Sequence, residues 1–130
     1  RAWGLGTTYF SDPTGLAVSN QSTARDLKEL AARIYNEYPE VFLIGRQRSS
    51  AVTEQSSGLR STLANINAFA GDPTFLGGKT GFTDESKGNL LSLFGYGGRP
   101  VAVVVLGAED RFHETKVLIN WFRHAFRPSN

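Results

Sequence analysis

Apolar residues recur at helical spacing in the segment that follows Thr23. They are Ala24, Leu27, Leu30, Ala31 and Ile34, a spacing that gathers them on one face of a helix. Thr23 precedes this segment and Asp26 follows three residues later, which is the pattern of a capping box. Pro39 cannot continue a helix. The pattern therefore predicts a helix that starts after Thr23 and ends near Tyr38.

Two apolar runs of strand length lie in the second half of the chain. "NLLSLFGYGG" spans Asn89 to Gly98, and "RPVAVVVLG" spans Arg99 to Gly107. The glycine-rich junction between them predicts a β-hairpin. The first run is apolar at adjacent positions, so both faces of its strand should be covered. These positions are Leu90, Leu91, Leu93 and Phe94.

The chain closes with a second predicted helix. Asp110 is suited to cap its first turn. An apolar face follows at helical spacing, formed by Leu118, Trp121, Phe122 and Ala125. We expect this face to cover one side of the sheet.

The middle of the chain is less regular. Residues from Arg46 to Gly58 are small and polar, which fits either a short exposed strand or a loop. "LRSTLANINAF" follows with weak helical character and ends before Gly71-Asp72-Pro73. The order of elements predicts an α+β fold, with an antiparallel sheet of about three strands from Lys79 onward, covered by helices.

Composition narrows the possible functions. The 130 residues, 40% hydrophobic and 20% charged, are enough for a single packed domain. The formal charge of +2 comes from scattered residues, so we expect no nucleic-acid partner. The longest apolar run, Val101 to Leu106, is too short to span a bilayer. Methionine is absent even at position 1, which suggests a portion of a longer protein.

The stretch "FLGGKTGFTDE" carries the candidate chemistry. Gly78-Lys79-Thr80 resembles the end of a phosphate-binding loop, but Pro73 stands where that loop needs glycine and strand-like residues follow. "HETKV" has Val117 where a zinc helix needs its second histidine. We therefore expect neither a nucleotide cofactor nor a metal, and place His113 and His124 on the surface of the last helix.

An extended backbone gives this lysine a different role. On a strand Lys79 and Gly81 share one face, so the missing side chain beside the lysine leaves a shallow channel for a peptide. The ammonium group and the hydroxyl of Thr80 offer a charge and a hydrogen bond to an anion. The stretch therefore predicts a site for the carboxylate end of a short peptide.

"KTG" preceded by glycine is one of three elements of serine acyltransferases, the others being S-x-x-K and S-x-N. Four further stretches accompany it, namely "TTYFSDPTGL", "NQSTARDLKELA", "LANINAF" and "VAVVVLG". In this order and spacing they resemble the D-alanyl-D-alanine carboxypeptidase family of serine peptidases, from roughly Thr7 to Phe126.

The resemblance implies a β-lactamase/transpeptidase-like fold and a role for each residue of the stretch. Lys79 would set the electrostatics of the site, and the hydroxyl of Thr80 would hold the substrate carboxylate. Gly81 would border the channel, and the N–H of Phe82 would form half of the oxyanion hole. The implied ligands are a peptidoglycan stem peptide or a β-lactam. The implied location is outside the cytoplasmic membrane, in the periplasm or at its outer face.

Two elements of the family's catalytic machinery do not occur in this sequence. No serine begins S-x-x-K or S-x-N, and the nearest candidate has Arg25 three residues after Ser22. Arginine cannot act as a neutral base, and this stretch matches the family's helix start. We expect the 130 residues to be the C-terminal part of a catalytic domain and to be inactive alone.

Other interpretations of the residues stay open. The same fold could serve a β-lactamase, a D,D-endopeptidase or a non-catalytic module that binds peptidoglycan peptides. Removing the preceding part of such a domain would expose apolar faces. We therefore expect either a complementing N-terminal segment or self-association.

Overall fold

The computed structural model describes residues 3–127 and contains three helices and five strands in that range. The helices are α1 (Ala24–Glu37), α2 (Pro39–Gly45) and α3 (Arg111–Ala125). The strands are β1 (Ser49–Thr53), β2 (Arg60–Ala64), β3 (Phe75–Thr83), β4 (Lys87–Tyr96) and β5 (Arg99–Ala108). No helix in the described range is long and apolar enough to cross a membrane.

A three-stranded antiparallel sheet in the order β3-β4-β5 forms the centre of the fold. The turn between β4 and β5 consists of Gly97 and Gly98, with φ of 57° and 74°. Tyr96 and Arg99 pair directly across this turn. Two consecutive residues with positive φ favour glycine and give the tight turn that suits twisted strands. The predicted hairpin and the α+β fold class are confirmed.

Both faces of the sheet are covered, as the apolar pattern of β4 predicts. On one face α3 packs over a cluster that contains Phe75, Phe94, Val103, Val105 and Ile119. On the other face α1 and α2 contribute Ala31 and Phe42, which pack with Leu93. Each large apolar side chain buried in this way stabilises the fold by about 1.5–3 kcal/mol.

The start of α1 uses only half of the predicted capping box. The Thr23 hydroxyl accepts a hydrogen bond from the Asp26 backbone N–H at 3.2 Å. The Asp26 carboxylate instead accepts from the Thr7 N–H and from the hydroxyls of Thr7 and Thr8. These bonds, with that from Thr8 as the largest influence, lower the pKa of Asp26. Asp26 therefore fastens the N-terminal segment to α1.

The middle of the chain differs from the prediction in two ways. Residues 60–64, predicted to be weakly helical, form β2 and pair with β1 in a separate two-stranded sheet. Pairing with a neighbouring strand overrides a weak local helical preference. Pro39 ends the α1 pattern as predicted, but it also begins α2, because proline fits the first turn of a helix.

The face that α3 turns to the sheet also differs from the prediction. Thr115 and Ile119 are buried, whereas Leu118 is exposed and Trp121 is 60% exposed. Phe122 is half-buried against the core, and Ala125 is exposed. The helix is rotated so that a threonine faces the sheet, a position that apolar spacing alone does not reveal. His113 and His124 are exposed on α3, as expected.

Candidate functional site

The stretch that contains Lys79 is an extended edge strand. β3 pairs with β4, and the described residues provide no strand on its other side. Lys79 pairs with Leu91 and Thr80 pairs with Leu90. The predicted strand is confirmed, and we call its unpaired side, along residues 78–82, the open edge.

Gly77 on β3 and Gly45 on α2 allow the two elements to approach each other. A Cβ added to Gly77 would collide with the backbone carbonyl of Phe42, and Gly77 has a φ of 140°. A Cβ added to Gly45 would lie 3.0 Å from the Gly78 carbonyl oxygen. A Cβ added to Gly78 would lie 2.5 Å from the Leu91 carbonyl oxygen of β4. Gly77 and Gly78 are therefore both required for packing, and only Gly81 is left to provide the channel predicted beside the lysine.

The contact between Gly45 and Gly78 also reveals which backbone groups face the open edge. The backbone N and O of Gly78 both lie near Gly45, at 3.4 and 3.0 Å from its added Cβ, so they point away from β4. In an antiparallel ladder, residues alternate between bonding the partner strand and facing away. The N–H and C=O groups of Thr80 and Phe82 therefore face the open edge.

The Lys79 side chain is exposed and bends toward this edge. Its pairing with Leu91 puts it on the face of the sheet that α1 and α2 cover. Its Nζ donates a hydrogen bond to the carbonyl oxygen of Thr80, which faces outward. Gly81 follows on the same face, and a Cβ there would meet nothing closer than the Asn89 Cβ at 3.9 Å. The ammonium group therefore borders open space.

Thr80 leaves the strand on the opposite face. It pairs with Leu90, which in turn pairs with Val105 in the cluster beneath α3, and it is only 8% exposed. The Lys79 ammonium and the Thr80 hydroxyl therefore do not converge on one face. An anion can contact both only by lying along the open edge.

A second cation lies at the same end of β3. The Arg111 guanidinium carbon is 5.9 Å from the centre of the Phe82 ring and 4.7 Å from that of Phe112. Its Nε is buried and has no hydrogen-bond partner among the described residues. The absence of a side chain at Gly88 makes room, because a Cβ there would lie 3.2 Å from the Arg111 Cβ. The sequence gives no indication of this proximity, which depends on how α3 packs.

The residue before this arginine, Asp110, is held in its ionised form by local hydrogen bonds. Asp110 caps α3 by accepting hydrogen bonds from the N–H groups of Phe112 and His113. The bond from His113 is the main reason that the pKa of Asp110 is lowered. Arg111 therefore lies at the Phe82 end of β3 beside a carboxylate that is already engaged by the helix.

Two cavities in the described range do not include the predicted site residues. One, of about 790 Å³, lies beside the N-terminal segment and is lined by residues such as Trp3, Tyr9 and Leu30. The other, of about 440 Å³, lies between α3 and the loop before β3. No group of three or more potential ligands between residues 3 and 127 is arranged to hold a metal ion.

Comparison with known proteins identifies the family. The sequence profile described as D-alanyl-D-alanine carboxypeptidase matches residues 1–110. This chain belongs to the D-alanyl-D-alanine carboxypeptidase family. The matched range includes the whole stretch from Lys79 to Phe82 and ends immediately before Arg111.

Individual members of the D-alanyl-D-alanine carboxypeptidase family and its relatives support this assignment. The chain is 30% identical over 114 residues to the D-alanyl-D-alanine endopeptidase of Escherichia coli (strain K12), covering 86% of this chain and 36% of that protein. It is 30% identical over 125 residues to the D-alanyl-D-alanine carboxypeptidase DacC of the same organism. That alignment covers 91% of this chain and 30% of DacC.

A solved structure supports the fold. Penicillin-binding protein D2 from Listeria monocytogenes, in its cefotaxime-bound form, is 31% identical with a TM-score of 0.73. The alignment covers 89% of this chain and 49% of that structure. The chain therefore spans about a third of the length of the two Escherichia coli proteins and about half of the length of the Listeria monocytogenes structure. The expected transpeptidase-like fold is confirmed.

Proposed function

We propose that this chain supplies the substrate-anchoring edge of a serine-type D-alanyl-D-alanine carboxypeptidase that trims peptidoglycan stem peptides. In this proposal Lys79 and the Thr80 hydroxyl hold the terminal carboxylate of the peptide. Gly81 leaves room for the peptide backbone, and the Phe82 N–H contributes to the oxyanion hole. Arg111 adds a second positive charge for the same carboxylate.

The open edge of β3 is the observation that carries this proposal. It combines an exposed ammonium group, the outward-facing N–H groups of Thr80 and Phe82, and a glycine that removes one side chain. An extended peptide can add to such an edge through main-chain hydrogen bonds. The charged groups then favour a peptide that ends there in a carboxylate.

The chemical step needs groups that this sequence does not contain. A serine made nucleophilic by a neighbouring base attacks the penultimate D-alanine carbonyl, and D-alanine leaves as the C–N bond breaks. Water then hydrolyses the resulting ester. Because no S-x-x-K or S-x-N occurs in the 130 residues, we propose that they form the C-terminal part of the catalytic domain. A preceding segment, in the same protein or supplied in trans, then carries the serine.

Three further properties follow from this proposal. The exposed apolar residues Leu118 and Trp121 favour contact with that segment or, in its absence, self-association. The substrate is cell-wall peptide, so the protein acts outside the cytoplasmic membrane. A β-lactam, whose carboxylate resembles the peptide terminus, binds at the same edge.

A D,D-endopeptidase is the second candidate function. It is favoured by the 30% identity to the Escherichia coli endopeptidase, which equals the identity to the carboxypeptidase. A peptidoglycan crosslink has a longer chain beyond the cleaved bond than a free D-alanine terminus does. Digesting both a crosslinked dimer and a free pentapeptide with the complemented enzyme distinguishes the two activities.

Labelling with a fluorescent penicillin tests the proposal. We expect no covalent adduct on this chain alone. We expect a labelled adduct on a separate polypeptide that carries S-x-x-K, such as the N-terminal part of the Escherichia coli carboxypeptidase, only after this chain is added. A stable adduct on the 130 residues alone, or no adduct on any partner that restores a native complex, would contradict the proposal.

A further inference from the structure

The cavity of about 440 Å³ between α3 and the loop before β3 is not used by the proposed function. Its floor is apolar and contains Phe69, Phe94 and Ile119. Phe69 and Phe94 meet edge to face with their centres 5.2 Å apart, and Phe94 is fully buried. Such a floor offers a rigid surface to an aromatic or aliphatic group.

The rim of this cavity carries charges of both signs. Asp72 and Asp110 contribute carboxylates, and Lys116 and Arg123 contribute cations. The ion pairs found between residues 3 and 127 join Lys28 to Glu29 and Arg33 to Glu37, so none of the four rim charges takes part in one. Arg123 and Asp72 interact through their charges without a close contact, so the four side chains around the apolar floor are free to contact a ligand.

Each rim carboxylate uses only one of its two oxygens. Asp110 Oδ1 accepts from the N–H groups of Phe112 and His113, and Asp72 Oδ1 accepts from the N–H and hydroxyl of Thr74. In the part of the chain that the structure describes, neither Oδ2 accepts a hydrogen bond. The local bonds fix both carboxylates and leave one oxygen of each to bind an ammonium group.

The cations are arranged along α3. Arg123 donates to the Thr74 hydroxyl at 2.8 Å, which holds it near Asp72 at one end of the cavity. Lys116 lies between Asp110 and Arg123 and donates no hydrogen bond to a described residue. At about 1.5 Å per residue, Lys116 is about 9 Å along the axis from Asp110 and about 10 Å from Arg123. The negative and positive groups are thus far enough apart to contact opposite ends of one small molecule, and their flexible side chains can adjust to its length.

We propose that this cavity binds a zwitterionic molecule of about dipeptide size with an apolar side chain. The apolar group rests on Phe94 and Phe69, the ammonium contacts Asp110 or Asp72, and the carboxylate contacts Lys116. The volume lies within the range of about 300–1,000 Å³ found for small-molecule sites. This inference does not depend on the proposed peptidase function.

Titration of the isotopically labelled chain with L-phenylalanyl-L-alanine tests it by NMR. We expect saturable shifts at the backbone amides of Ala68, His113 and Asn120. Lys116→Ala should weaken binding about threefold, the effect of losing one partly exposed ion pair. Lys28→Ala, on α1 and away from the cavity, should leave the affinity unchanged.

The N-acetyl, C-terminal amide derivative of the same dipeptide separates charge recognition from apolar contact. We expect it to bind more weakly than the zwitterion, since it keeps the apolar side chain and loses both charges. Equal affinity for the two compounds would overturn the proposal. The absence of saturable shifts at the cavity residues would also overturn the proposal, whether or not the open edge of β3 binds a peptide.

Discussion

The two halves of β3 use the same residue type in opposite ways. In the first half, Gly77 lets the backbone of α2 come into contact with the strand, Gly78 fits against the Leu91 carbonyl of β4, and Phe75 is buried in the core. In the second half, Gly81 has open space beside it and Phe82 is 54% exposed. The first half therefore holds the sheet against a helix, and the second half presents a backbone edge to solvent.

This difference shows that a sequence motif can combine two physical tasks. The glycines before the lysine place the edge by packing, whereas the glycine after the lysine leaves open space beside the strand. A substitution in the first half should therefore affect folding, and one in the second half should affect binding.

The largest expected difference in stability concerns the two phenylalanines. Phe75→Ala should lower the free energy of unfolding by about 3–5 kcal/mol, because it removes a buried ring from the cluster under α3. Phe82→Ala should lower it by about 1 kcal/mol or less, the loss of an exposed cation–π contact with Arg111. Urea unfolding followed by circular dichroism measures both. Similar losses for the two variants would contradict the division.

The paired glycines give the next effect. Gly77→Ala should destabilise the fold by about 3 kcal/mol, because its Cβ collides with the Phe42 carbonyl and its φ is unfavourable for alanine. Gly81→Ala should change the unfolding free energy by about 0.5 kcal/mol at most. The same urea experiment compares them, and a Gly77→Ala protein of unchanged stability would show that α2 does not need this glycine.

A third prediction concerns Lys79 in the complemented enzyme. Lys79→Ala should slow acylation by a β-lactam about 100-fold, comparable to the loss of one preorganised group in an active site. Its stability should stay within about 0.5 kcal/mol of the parent protein, since the side chain is exposed. Lys28→Ala is the matched control for loss of a positive charge. A parent-like acylation rate in Lys79→Ala would rule out the proposed role.

The smallest effect concerns the hairpin that closes the second half of β3. Lys87 is the non-glycine residue with positive φ, at 55°, among the described residues. Lys87→Gly should raise the unfolding free energy by about 1 kcal/mol, because glycine adopts this conformation without the steric penalty. Lys87→Ala keeps the penalty and should bring no such gain. Thermal unfolding of the two variants checks this difference.

The elements that the sequence predicts well are those with strong local determinants. Thr23 caps α1, Asp110 caps α3, and two adjacent glycines specify the turn between β4 and β5. The sequence of β2 has weak helical character and no strand pattern. All of its residues are exposed, so neither face of this strand needs apolar residues, and no alternation of apolar and polar positions indicates a strand. The prediction of the buried face of α3 is wrong because Thr115, a polar residue, is fully buried.

The candidate site was predictable only as far as it lies on one strand. Local pattern was enough to predict an extended segment with Lys79 exposed beside Gly81. The opposite directions of Lys79 and Thr80 follow once the register with β4 is known. The position of Arg111 next to Phe82 depends on the packing of α3 across the sheet, which no local pattern specifies.

Peptide recognition at the open edge can be tested by an NMR titration of this chain with N-acetyl-D-alanyl-D-alanine and with its C-terminal amide. We predict saturable shifts at the outward-facing amides of Thr80 and Phe82, with a dissociation constant of about 1 mM for the free carboxylate. The amide, and the Lys79→Ala variant, should show much weaker binding. Equal shifts with the two peptides, or none at the open edge, would contradict the claim that this edge recognises an anionic peptide terminus.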